Sequence, residues 1–498
     1  MDETGIVYAS DRPELADIGR LARRLVRRTV AAARAEEGSV AKLLARHLGP
    51  QAAALPVASG SWPAYERVNV QTALDIWLAE PGRTHELFGL TQYRHSDFGL
   101  ADLLQMHDGW GHSVGMGSVE TQSLPAGPDG ETRPCVQCAI YLTADADGAA
   151  ALLLRAPEEH GREGVDVEVV CEQPDRAQPI VDEIRRLGLE HNVFRGHVVE
   201  FGGEVFSRFG HSSALLSYVR RPQVPRDQVI LPPDVLEGIE RQVVGVARHA
   251  ARLHGSGQHL RRGILLYGPP GTGKTHTVRY LIGNLPGVTV VLLSGDALGM
   301  IAEACSVARA LQPSVVVVED VDLIAEERGR HPGRHPLLFQ LLNEMDGLGS
   351  DLDVTFLLTT NRADLLEQAL AARPGRVDHA AELPVPSAEA RSRLLRLYQG
   401  RLELDLADPD TVISRTEGVT ASFIKELLRR AALVAAEDDS AERDGTDGSL
   451  ARDHDAEAAD VPIRVTDRHM ASALDELLDT RSRLTQALLG GGPTASAG

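Results

Sequence analysis

The residues best able to do chemistry lie between positions 264 and 378. A short apolar run at 264–267 leads into Gly268-Pro269-Pro270-Gly271-Thr272-Gly273-Lys274-Thr275, and a helical pattern follows. Glycines at this spacing between a strand and a helix let backbone N–H groups close around phosphate oxygens. The helix N-terminus adds a favourable dipole. Lys274 supplies a point charge for the β- and γ-phosphates of a nucleotide, and Thr275 a hydroxyl for Mg²⁺. A buried-strand pattern at 314–318 then ends in Glu319-Asp320-Val321-Asp322. Carboxylates at the C-terminal end of such a strand sit over the phosphates. One can hold Mg²⁺ through water, and the next can orient an attacking water. A further apolar run, 354–358, ends in Thr359-Thr360-Asn361. The Asn361 side-chain amide can reach the γ-phosphate or the water; taken alone, such a residue is more often a cap or turn residue. Arg373 and Arg376 flank a Pro-Gly turn, for which ordinary surface salt bridges are the alternative.

The elements that must position these groups alternate strand and helix from residue 234 onward, the mark of a parallel α/β sheet. Residues 235–253 read as a long helix ahead of it. Four prolines within 222–233 read as a linker. Upstream, 138–143 and 149–154 predict a hairpin turning at Asp147-Gly148. Strands are expected at 165–171 and 197–201, and a helix at 179–187. Residues 51–221 are therefore expected to form a small α+β domain, with 55–135 irregular. Residues 12–48 carry apolar residues at helical spacing, with Arg20, Arg23, Arg24, Arg27, Arg28 and Arg34 on the other faces, giving an N-terminal helical segment over 1–50. Such a basic face can lie on an anionic surface or pair with carboxylates elsewhere in the protein.

The motifs resemble the AAA ATPases, such as the FtsH, katanin, spastin and valosin-containing families. The resemblance rests on residues 262–275, 313–322, 341–347, 359–361 and 369–378, in family order and spacing, and covers roughly residues 230–480. It implies a P-loop NTPase fold of five parallel strands (234–385) with a helical lid (386–480), a homohexameric ring, and hydrolysis of ATP with Mg²⁺. By the same resemblance, Asn361 is a sensor of the γ-phosphate, and Arg373 and Arg376 reach a neighbouring subunit's nucleotide. His276 follows the phosphate loop, and Ala421 lies near the adenine. Ten acidic residues against two arginines within 437–460 predict a disordered insertion in the lid, and 490–498 a disordered tail.

Three features depart from the family pattern. The usual Asp-Glu pair is reversed to Glu319-Asp320, which assigns Glu319 to the metal and Asp320 to the water; a similar order is found in the mitochondrial Rieske-protein translocase family. The segment after the second core strand, 294–313, is short and lacks an aromatic residue; Leu298, Gly299 and Met300 are the nearest substitutes for a polypeptide-gripping loop. No His-Glu-x-x-His follows the lid, so a zinc protease of the FtsH type is not expected.

Composition bounds the rest. A formal charge of −20 opposes general nucleic-acid binding. Lysine occurs only at 42, 274 and 425. Four cysteines make no disulfide scaffold; Cys135 and Cys138 form a lone C-x-x-C lacking further metal ligands at fixed spacing. His107 and His112 read as loop residues. There is no signal-peptide pattern and no apolar run of membrane-span length, so a cytoplasmic location is expected. The expected function is ATP-driven remodelling or disassembly of a protein partner, selected through residues 1–225. The alternative is an ATP-gated assembly switch or scaffold with slow or no hydrolysis.

Overall fold

A computed structural model of the 498-residue chain describes residues 40–91, 93, 98–105, 114–158, 162–201, 216–322, 336–347, 349, 352–364, 377–444 and 462–478. The chain forms two compact units, one of residues 1–193 with 203–215, the other of 194–202 with 216–498.

The first unit contains α1 (Val40–Leu48), β1 (Val57–Pro63), α2 (Arg67–Leu78), β2 (Thr84–Thr91), α3 (Leu100–Gln105), β3 (Gly115–Gly117), β4 (Thr121–Pro125), β5 (Thr132–Val136), β6 (Cys138–Asp145), β7 (Gly148–Arg155), β8 (Gly164–Cys171) and α4 (Ala177–Glu190). Its six-stranded sheet has the order β1-β8-β7-β6-β2-β3 with every pairing antiparallel. Alternation sends Ala139 and Tyr141 of β6 to one face, against Leu74 and Trp77 of α2 and Ile180 and Ile184 of α4. Ile140 and Leu142 go to the other face, against Leu44 of α1 and Leu103 of α3. Burial on both faces is why β6 and β7 read as unbroken apolar runs. It also explains why α2 is missing from the sequence reading, which has 55–135 as irregular. Val68 through Leu74 are all buried, so α2 has no polar stripe to give a helical period. Cys135, Cys138 and Cys171 are buried free thiols, and burial pushes Cys138 up to about 12 and Cys171 to about 11.

The second unit continues with β9 (Val198–Phe201), β10 (Leu216–Val219), α5 (Pro233–Glu240), α6 (Val246–Gly255), β11 (Arg262–Tyr267), α7 (Lys274–Gly283), β12 (Thr289–Leu293), α8 (Ile301–Ala310), β13 (Ser314–Val318), α9 (Pro336–Gly347), β14 (Val354–Thr360) and β15 (His379–Glu382). Its lid comprises α10 (Ala388–Tyr398), β16 (Glu403–Asp405), α11 (Pro409–Arg415), α12 (Ala421–Asp444), β17 (Arg464–Thr466) and α13 (Asp467–Leu478). The expected parallel α/β sheet is present, in the order β12-β13-β14-β11-β15. It has seven strands rather than five, because β9 adds in parallel beside β12 and β10 pairs antiparallel with β9. The strand expected at 197–201 therefore forms, but in this sheet and not in the α+β unit; four residues carry no signal of which sheet they join.

Three further expectations change in this unit. Residues 222–233 are not a free linker: Val229 and Leu231 are buried in the core that Ile264 and Leu281 share. The helix expected over 235–253 is broken by a π-turn at Arg241–Gly245. Residues 437–444, assigned by composition to the acidic insertion, continue α12, where Asp438 pairs with Arg468 and His469 of α13. The lid core is built on Phe423, Ile424 and Leu427 of α12 packed with Met470 and Leu474 of α13. The remaining N-terminal segment to residue 39, His107, His112, Arg373, Arg376, 445–460 and 490–498 lie outside the described residues. Among the described residues, no helix is long and apolar enough to cross a membrane.

Candidate nucleotide site

The loop after β11 takes its path from glycine geometry. Gly268 has φ 148°, and a Cβ there would sit 2.3 Å from the Leu383 carbonyl oxygen. Gly271 has φ 80°, and a Cβ there would meet the Thr420 and Ser422 hydroxyls at 2.8 and 2.9 Å. The backbone thus reverses tightly between sheet and lid, and Gly273, at φ 100°, delivers the chain into α7. Pro269 and Pro270 are exposed at the loop crest, and the Thr272 hydroxyl donates to the Pro269 carbonyl at 2.9 Å. Gly271→Ala should cost about 1–2 kcal/mol from the left-handed backbone alone. A thermal melt should show that loss together with weaker ATP binding; a stable variant with native affinity would contradict the loop assignment.

Lys274 is buried, and its ammonium donates to the Gly268 and Pro269 carbonyls at 2.8 and 2.9 Å. Burial pulls its pKa below the ordinary lysine value, and the charges of Asp320 and Asp322 oppose that pull. The next residue, Thr275, is exposed on the first turn of α7, near enough to Glu319 to favour its charged form. His276 Nε2 lies 3.1 Å from the Gln228 carbonyl, which ties α7 to the segment ahead of α5.

The two carboxylates after β13 face different partners. Burial raises the Glu319 pKa, as do the neighbouring Asp320 and Glu200 charges; Arg279 and the adjacent Thr275 hydroxyl oppose this. Asp320 is the one described non-glycine residue with positive φ, at 52°. Aspartate tolerates that left-handed conformation better than most residues. Its amide donates to the Thr359 hydroxyl at 3.0 Å, and the Asn361 side-chain amide donates to its Oδ1 at 3.3 Å. Asp322, buried at 8% exposure, accepts from the Thr360 hydroxyl at 2.8 Å and the Asn361 backbone N–H at 3.2 Å. It fastens the ends of β13 and β14 together, a role that its place in the motif does not announce.

Loop, carboxylates and Asn361 thus converge at the C-terminal edge of the parallel strands. Ala421 sits half-buried at the start of α12, and its neighbour Ser422 donates its amide to the Gly271 carbonyl at 3.1 Å. This lid-to-loop contact is absent from the sequence reading because the two residues are far apart in the chain. Leu298 is buried inside a 3₁₀ turn over Gly295–Met300, so it presents no gripping side chain. The exposed Thr275 hydroxyl beside the Glu319 carboxylate is an oxygen pair suited to Mg²⁺, which retains several of its own waters.

Residues 264–385 match the family model described as ATPase family associated with various cellular activities (AAA). The chain is 34% identical over 218 residues to the ATP-dependent zinc metalloprotease FtsH 2 of Symbiobacterium thermophilum, spanning 41% of this chain and 37% of that one. It is 31% identical to the ATP-dependent zinc metalloprotease FtsH of Thermus thermophilus, over 39% of this chain and 34% of the relative. It is 29% identical to the human ATPase family gene 2 protein homolog A, over 58% of this chain and 34% of the relative. The chain thus spans about a third of the length of these curated relatives. Strand order, loop geometry and sequence similarity agree that this chain carries, over residues 264–385, an ATPase domain of the AAA family.

Proposed function

We propose that the chain hydrolyses ATP with Mg²⁺ and uses the cycle to remodel or disassemble a protein partner recognised through residues 1–225. The observation that carries the hydrolytic reading is the division of labour between the two carboxylates. Glu319 lies beside Thr275, on the side where phosphate-bound Mg²⁺ would be held, and Asp320 accepts from the Asn361 side-chain amide, on the side where an attacking water would stand. Lys274 and the loop amides grip the β- and γ-phosphates, while Asp320 and Asn361 orient the water. Mg²⁺, when bound, neutralises charge on the phosphates.

Arg373 and Arg376 would complete a neighbouring subunit's site in a homohexameric ring. Mixing Arg373→Ala chains with Lys274→Ala chains, each inactive alone, tests this by steady-state turnover. Turnover should reappear in the mixture, because some interfaces then pair an intact phosphate loop with a neighbour's intact arginine. No recovery from chains that still assemble together would speak against a shared site.

The burial of Leu298 favours a second reading, in which ATP gates assembly and hydrolysis is slow. Turnover stimulated by a partner protein supports remodelling; ATP-dependent assembly with negligible turnover supports the switch.

A further inference from the structure

Strand β9 brings an additional carboxylate to the metal side of the nucleotide site. It pairs with β12 in the register Val199↔Val291 and Glu200↔Leu292. On its other side β12 pairs with β13, Leu292↔Val317 and Leu293↔Val318. Just past these pairs Ser294 leaves β12, still extended at φ −143° and ψ 151°, and the Glu319 amide donates to the Leu293 carbonyl at 3.1 Å. Alternation along three parallel strands therefore sets Glu200, Ser294 and Glu319 on one face of the sheet, near its C-terminal edge. The Ser294 hydroxyl donates to Glu200 Oε1 at 3.1 Å and fixes that half-buried side chain. Glu200 is near enough for its charge to act on Glu319, which lies beside Thr275.

We propose that Glu200 is a positioning residue for the nucleotide's Mg²⁺, a carboxylate supplied from outside the five core strands that helps Glu319 hold the ion's water shell. The proposal rests on the Mg-ATP reading given above. Mg²⁺ dehydrates reluctantly, so carboxylates around it act largely through its waters. Groups one shell out from a metal orient what the first shell holds, and their removal typically costs tenfold or more in metal affinity. Two like charges on one face also repel each other, and a divalent cation beside them relieves that repulsion.

The test is a Mg²⁺ titration of the full chain at fixed ATP, read both by turnover and by calorimetric nucleotide binding. Glu200→Gln retains the side-chain length and an acceptor for Ser294 but removes the charge. The Mg²⁺ concentration for half-maximal turnover should rise about tenfold, with the loss at low Mg²⁺ recovering as Mg²⁺ is raised. ATP affinity in EDTA should stay the same or tighten, because a negative charge near the phosphates is gone. Glu200→Asp should fall between wild type and Glu200→Gln, and Ser294→Ala should shift the midpoint in the same direction by less. An unchanged midpoint in Glu200→Gln, or equal loss of ATP binding with and without Mg²⁺, overturns the proposal. A wild-type chain that does not bind ATP in Mg²⁺ overturns instead the reading beneath it.

Discussion

Lys274→Ala should weaken ATP binding by at least about two orders of magnitude. Charge-assisted hydrogen bonds contribute about 1.5–3 kcal/mol each, and Lys274 is placed to make them to two phosphates. At about 1.4 kcal/mol per tenfold, losing both amounts to a hundredfold or more. The cost to folding should be small by comparison. The Lys274 ammonium is buried, which lowers its pKa, and among the described residues its bonds run to the Gly268 and Pro269 carbonyls. Titration calorimetry with ATP and Mg²⁺ reads the affinity, and a thermal melt reads the fold. Native affinity in a folded variant would remove the basis of the nucleotide site.

Asp320→Asn should bind ATP normally and lose turnover by about 10² to 10⁴, the usual contribution of a group that handles a proton or orients water. The substitution isolates charge from structure. Asparagine, like aspartate, tolerates a φ of 52°, and its side-chain oxygen can still accept from Asn361. The reversed Glu-Asp order has a physical counterpart here, since the shorter acidic residue occupies the left-handed position. Glu319→Gln should instead raise the Mg²⁺ requirement, because Glu319 sits against Thr275. If Glu319's longer side chain reaches the water itself, the two phenotypes exchange. Near-native turnover in both variants would show that neither carboxylate drives hydrolysis. Single-turnover measurement at saturating Mg²⁺ separates these outcomes.

The parts of the site legible in the sequence are those whose chemistry is local. A glycine-rich turn followed by Lys274 and Thr275 declares its own backbone conformation. Carboxylates and Asn361 declare themselves by ending apolar strands. Register, sheet membership and lid contact do not, because they depend on which distant surfaces bury one another. Thus 197–201 reads as a strand without a sheet, and only its pairing with β12 brings Glu200 toward Glu319. Helix α2 vanishes from the pattern because its neighbours cover it on nearly every side. Residues 222–233 look like a linker until Val229 and Leu231 are found in the core. The sequence by itself determined the glycine-rich loop, the carboxylates that end β13 and the parallel α/β class, since each follows from residues adjacent in the chain. Tertiary structure alone decided the seventh and sixth strands, the left-handed Asp320 and the contact of Ser422 with Gly271, since each arises from packing between segments that no short stretch of sequence contains.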